Sequence, residues 1–170
     1  MINTVKESLW KQFGASIDML KNAIESIPED HWETDKRFFY MAYHTLVFLD
    51  YYLTIPPKGF SSPLPFTIDQ TGNKPDGAID DVVPDRIYSK KELLDYLRAS
   101  REKCHRIITG LTDEKLNEKW IEEDDDREFV FLELLLYNMR HVQHHAAQLN
   151  LLLRQATNNA PDWVSRAKDE

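Results

Sequence analysis

Four stretches of the chain repeat apolar residues at intervals of three and four, and this periodicity limits the fold more than any other feature. Such spacing places the apolar side chains on one face of an α-helix. The stretches cover about residues 5–27, 35–55, 89–110 and 127–155. No convincing strand pattern lies between them. The sequence therefore predicts an all-α fold, specifically a four-helix bundle.

Local signals mark where these helices begin and end. Pro28 closes the first helix and Pro56-Pro57 stops the second, because proline has no amide hydrogen to continue the ladder. Ser89 and Glu92 have the spacing of a capping box at the start of the third helix. Residues 112–120 are expected to add a short helix.

The connection between the second and third helices, residues 56–88, is irregular. It holds six of the eight prolines and three of the five glycines. Connections of that length in a compact domain are usually functional or partly disordered. It is long enough to span the bundle, which permits the two helices it joins to run in the same direction. The acidic run at 122–126 is expected to be a solvated turn before the fourth helix.

Length, charge and cysteine content narrow the class of protein. The 170 residues suit a single domain over 1–170, and no apolar run reaches the ~18 residues of a membrane span. A net charge of −8 disfavours binding to nucleic acid or to an anionic membrane. The only cysteine, Cys104, lies on an apolar stripe and is expected to be an inert core thiol. We expect a cytoplasmic protein whose partner is a small molecule or another protein.

Two histidines on the fourth helix are spaced to share a metal ion. His141 and His145 lie ~40° apart around the axis and one turn apart along it. Two ligands from one helix do not complete a site, so a third must come from elsewhere. His44 is the best candidate, because its neighbours at helical spacing are apolar or aromatic and its ring should point inward.

Three further histidines, and other uses of the pair, compete with this interpretation. His144 shares part of the same face and is the main rival for a ligand position, while His31 and His105 are expected to be solvated. A buried histidine is more often a hydrogen-bonded core residue than a ligand. Two imidazoles on an otherwise apolar helix are nevertheless costly to bury unless something satisfies them. Gln148, on the same face, is placed to bond a ligand or a water. A di-iron site is disfavoured because no Glu-x-x-His occurs near the three candidates.

At these residues the sequence resembles the DinB-like (YfiT-like) family. Residues 42–53 look like the family's second helix, which carries one histidine ligand, and 140–149 are similar to the His-x-x-His-His-x-x-Gln signature of its last long helix. Residues 88–97 look like the third helix of one branch. The resemblance covers roughly residues 3–165. It implies a three-histidine metal site, which maps onto His44, His141 and His145.

The resemblance also implies an architecture and a range of activities. Its fold is an up-down-down-up bundle that often forms a homodimer, and it binds one divalent transition metal, with zinc or nickel expected. Some relatives are transferases or isomerases that use a low-molecular-weight thiol. We therefore expect a metal-dependent transferase that activates a small thiol. The alternatives are a metal-dependent hydrolase and a non-enzymatic, stress-associated binding module whose metal is structural.

Overall fold

The computed structural model describes residues 2–122 and 127–168. It is mostly helical, which confirms the prediction of a mainly helical fold. The helices are α1 (Ile2–Ser26), α2 (Glu29–Thr34), α3 (Lys36–Tyr52), α4 (Lys90–Thr109), α5 (Asp113–Leu116) and α6 (Phe131–Thr157). The strands are β1 (Phe66–Ile68), β2 (Val82–Pro84), β3 (Lys119–Ile121) and β4 (Glu128–Val130). Within the described ranges, none of the helices combines the length and apolar character that a bilayer span requires.

The helix ends follow the local signals in the sequence. Helix α1 ends just before Pro28. Asp35 caps α3 by accepting a hydrogen bond from the Arg37 amide at 3.1 Å. The capping box of α4 is confirmed: the Ser89 hydroxyl accepts from the Glu92 amide at 3.3 Å, and the Glu92 carboxylate accepts from the Ser89 amide at 2.8 Å. Each cap satisfies amide groups that a helix leaves without partners.

The expectation of no strands was wrong in two places. Strands β1 and β2 pair antiparallel within the 56–88 segment, and β3 pairs antiparallel with β4. The second pair shortens two predicted helices. Helix α6 begins at Phe131 rather than near 127, and the helix predicted over 112–120 ends at Leu116. Strand pairing satisfies the backbone there instead. Most of the predicted acidic turn, residues 123–126, lies outside the described residues.

The four long helices form the core by packing against one another. Helix α1 lies against α4 and α6, and α3 lies against the same two. Lys6 Nζ donates to the Thr109 carbonyl at 3.0 Å, which joins the start of α1 to the end of α4. The Tyr96 hydroxyl donates to Asp50 Oδ2 at 2.7 Å, which joins α4 to α3.

The 56–88 segment covers the side of α3 that no long helix covers. The Phe60 ring lies 5.3 Å from the Tyr51 ring, and Tyr88 stacks on Tyr43 at 5.7 Å. The Tyr43 hydroxyl also donates to the Leu64 carbonyl at 2.6 Å. The 56–88 segment therefore buries part of the apolar surface of α3, and these contacts hold the segment close to that helix.

Candidate metal centre

Three histidines meet where α3 and α6 face each other. His44 comes from α3, while His141 and His145 come from successive turns of α6. One ring nitrogen of each lies within 4.8 Å of the corresponding nitrogens of the other two. His44 Nε2 and His141 Nε2 are 3.0 Å apart. The three side chains that the sequence marked as candidate ligands therefore form one cluster.

Interhelical contacts hold α6 in the register that this cluster needs. Asn138, one turn before His141, is fully buried, and its Nδ2 donates to the Leu49 carbonyl at 3.0 Å. The Phe48 ring closes one side of the cluster, with its centroid 4.8 Å from the His44 ring and 5.9 Å from the His141 ring. A rotation of either helix would break the buried hydrogen bond, so the helix packing fixes where the imidazoles point.

Two neighbouring side chains contact the Nδ1 atoms of two of the rings. Asp80 Oδ2 lies 2.7 Å from His44 Nδ1, and Gln148 Oε1 lies 2.7 Å from His145 Nδ1. A carboxylate oxygen and an amide oxygen are hydrogen-bond acceptors, so a ring hydrogen on Nδ1 would satisfy both contacts. This is the arrangement by which metal-binding histidines are usually oriented.

Burial keeps two of the imidazoles neutral at ordinary pH. Desolvation, with the nearby His145 and His44 as further causes, lowers the pKa of His141 to about 3. Desolvation and then the proximity of His44 lower the pKa of His145 to about 4, against an opposing effect of the Gln148 hydrogen bond. A transition metal requires the neutral ring, so the environment holds these residues in the form that binds metal.

The cluster fits a divalent transition metal by donor type and spacing. Two Nε2 lone pairs 3.0 Å apart repel unless one nitrogen carries a hydrogen or both share a cation. His141 Nδ1 is buried and has no hydrogen-bond partner among the described residues. Within the described ranges, the cluster offers three candidate ligands: His44, His141 and His145. Three protein ligands leave room for water or substrate, as catalytic sites do.

Comparison with known families identifies the chain. A family model described as the DinB superfamily matches residues 38–149, which include all three clustered histidines. The chain belongs to the DinB superfamily. Neither the curated proteins nor the solved structures gave a match. Membership confirms the resemblance noted in the sequence, and the match spans α3 through most of α6.

In this DinB-superfamily chain, the remaining histidines lie outside the cluster. His144 is exposed, with its ring 5.0 Å from that of His145. His105 is exposed and lies against Trp10 at 4.4 Å. His31 lies beside Phe38, with their ring centroids 6.3 Å apart, and its side chain is 31% exposed, so it is partly solvated. Its helix, α2, was not anticipated and brings it against the start of α3.

Sequence reasoning identified Gln148 but missed Asp80. Gln148 lies three residues after His145 on one helix face, so its contact followed from helical spacing. Asp80 lies in an irregular connection 36 residues after His44, where no periodicity links the two. Cys104 is fully buried, and desolvation raises the pKa of its thiol, as expected for an inert core residue.

Proposed function

We propose that His44, His141 and His145 bind one divalent transition-metal ion, zinc or nickel, and that the protein uses it in catalysis. The observation that carries this proposal is the set of three ring nitrogens within 4.8 Å, from residues that two helices and two hydrogen bonds orient. Zinc and nickel both accept imidazole nitrogen readily. A site with three protein ligands favours a catalytic over a structural metal.

We also infer that α1, α3, α4 and α6 form an up-down-down-up bundle. Between α1 and α4, and between α3 and α6, later residues of one helix contact earlier residues of the other. This supports an antiparallel arrangement of each pair. Contacts of α3 with α4, and with Tyr88 two residues before α4, pair later residues of one with later residues of the other, which supports a parallel arrangement. The pairs are Lys6 with Thr109, Asp18 with Arg101, His44 with His141, Leu49 with Asn138, Tyr43 with Tyr88, and Asp50 with Tyr96.

The reaction that we propose is transfer of a small thiol to an electrophile. A bound ion would lower the pKa of the thiol and position its sulfur. The sulfur forms a bond to the electrophilic carbon, the leaving group departs with the bonding electrons, and the thiol proton passes to solvent. The three histidines would hold the ion, and Phe48 shields two of their rings on one side. Shielding from water strengthens electrostatic interactions within the site.

A cleft that shares Phe48 with the histidine cluster supports a small molecule as the substrate. Its volume is about 450 Å³, and Phe48 belongs both to its wall and to the wall of the histidine cluster. Its other walls come from α3, the 56–88 segment and the end of β3. The lining residues are Val47, Phe48, Tyr51, Phe60, Phe66, Ile68, Asp81, Val82 and Glu122. The volume suits a small organic molecule, and the walls are mainly apolar.

The proposal is tested by thiol conjugation with and without metal. Protein loaded with zinc or nickel should conjugate an aryl halide with at least one of a panel of low-molecular-weight thiols, while metal-stripped protein should not. Equal rates for loaded and stripped protein would remove the transferase proposal. His141→Ala should behave as stripped protein in the same assay, since it lacks one of the three proposed ligands.

The two alternative functions predict different results. A metal-dependent hydrolase would cleave activated esters or amides without added thiol, and the open coordination position is equally compatible with that chemistry. A structural module would have a closed site. Cobalt-substituted protein separates the cases: thiol addition should change the visible absorption spectrum of an open site and leave that of a closed one unchanged. An unchanged spectrum would favour the structural module.

A further inference from the structure

Asp80 connects the irregular 56–88 segment to the histidine cluster. Its Oδ2 accepts from His44 Nδ1 at 2.7 Å, and its Oδ1 accepts from the Val82 amide at 3.1 Å. The second bond places the carboxylate at the start of β2, whose pairing with β1 holds that part of the chain. Both oxygens therefore have defined partners, and the side chain is only 25% exposed.

We propose that Asp80 is a positioning residue that holds His44 in the tautomer with hydrogen on Nδ1 and thereby directs the Nε2 lone pair into the cluster. An imidazole side chain on its own favours hydrogen on Nε2, which would block the nitrogen that faces His141. A carboxylate on Nδ1 reverses that preference and increases the basicity of Nε2. This gives the 56–88 segment a defined part in the site. The consequence for metal affinity rests on the proposed function, whereas the tautomer does not.

The neighbouring Asp81 supplies a matched control. It is exposed and also acidic, but its contact in the structure is through its backbone carbonyl, which accepts from the Asp69 amide at 2.8 Å. Replacing Asp81 changes the net charge as replacing Asp80 does, at the adjacent position of the same segment. Because Asp81 also lines the proposed substrate cleft, it is a control for the tautomer and for metal affinity and not for thiol conjugation. A difference between the two variants therefore reports the contact with His44 and not general electrostatics.

The tautomer is measured on metal-free protein by nitrogen-15 correlation spectroscopy of the histidine rings. Wild type and Asp81→Ala should show His44 with hydrogen on Nδ1. Asp80→Ala should move His44 to the Nε2-protonated form, and Asp80→Asn, whose side-chain oxygen still accepts, should restore hydrogen on Nδ1. Hydrogen on Nε2 in wild type, or on Nδ1 in Asp80→Ala, would overturn the proposal.

Metal affinity is the second readout, measured by zinc competition against a chromogenic chelator. Asp80→Ala should weaken binding about 10–100-fold, Asp80→Asn less, and Asp81→Ala should bind as wild type does. Equal losses in Asp80→Ala and Asp81→Ala would contradict the proposed role. If wild type binds no metal, the proposed function fails, while the tautomer measurement still decides whether Asp80 positions His44.

Discussion

At the scale of single residues, the histidine cluster places three imidazole rings close together, where positive charges on them would repel one another. Desolvation by burial, with the proximity of other histidines as a further cause, lowers the pKa values of His141 and His145 well below 6.5. The protein thus keeps nitrogen lone pairs close together in a partly dry site. A cation relieves this arrangement better than a protein hydrogen bond does, since it can satisfy three lone pairs at once.

We predict that wild-type protein prepared without a polyhistidine tag binds about one zinc or nickel ion per chain. Replacing His44, His141 or His145 by Ala should reduce occupancy sharply, because two imidazoles retain a metal poorly. His105→Ala is the control, since that exposed ring lies against Trp10 and not in the cluster. Inductively coupled plasma mass spectrometry of the purified proteins measures the occupancy.

Two results would contradict the assignment of ligands. If His141→Ala retained its metal while His144→Ala lost it, the helical register assigned to α6 would be wrong. If wild type took up no metal from excess zinc or nickel, the metal site itself would be refuted.

At the scale of secondary-structure elements, a partly buried ion pair ties α3 to α4. Lys103 Nζ donates to Asp50 Oδ1 at 2.6 Å and to the Thr54 hydroxyl at 2.7 Å. The Tyr96 hydroxyl donates to the other carboxylate oxygen. Asp50 is only 13% exposed, so its negative charge depends on these partners. Because α3 carries His44, this network also helps to hold one side of the candidate metal centre.

We predict that Lys103→Met lowers the free energy of unfolding by about 2–4 kcal/mol, because it leaves the Asp50 carboxylate buried without its counter-charge. Lys91→Met is the matched control: that lysine pairs with Asp95 on the surface of α4 and is 84% exposed. It should cost less than about 1 kcal/mol. Urea unfolding followed by circular dichroism measures both. Equal losses would show that the Asp50 network does not act as a buried pair.

At the scale of the whole molecule, the predicted homodimer has a different basis from the one the sequence suggested. The family resemblance was the reason for expecting a dimer, and in the structure the 56–88 segment covers part of the apolar surface of α3. Leu136 and Leu151 on α6 are instead 41% and 57% exposed. They lie about 60° apart around the helix axis, so they present apolar surface on a similar side.

We predict a homodimer that buries about 1,200–2,000 Å² in total, with Leu136 and Leu151 in the contact. The double variant Leu136→Arg/Leu151→Arg should shift the protein toward the monomer, because the contact would have to bury two charges in each chain. Sedimentation equilibrium at micromolar concentration measures the mass. A wild-type mass of 20 kDa, that of one chain, would contradict the prediction.

The sequence by itself determined the features that depend on residues close together in the chain. Proline at 28 and the capping box of Ser89 and Glu92 act within one helical turn, so the ends that they set were predictable. His141 and His145 share a face because helical geometry places residues four apart side by side. His44 was identified from its apolar neighbours, and the family resemblance supported the choice.

Only the tertiary structure decided the features that join distant parts of the chain. Asp80 reaches His44 across 36 residues, and its position in an irregular connection carries no periodic signal. Strands β3 and β4 have three residues each, too few for alternation to be recognised, and they form because each pairs with the other. The same holds for the sides of α3 that the 56–88 segment covers. Such contacts depend on the tertiary packing of the whole chain, which cannot be predicted from any short stretch of sequence.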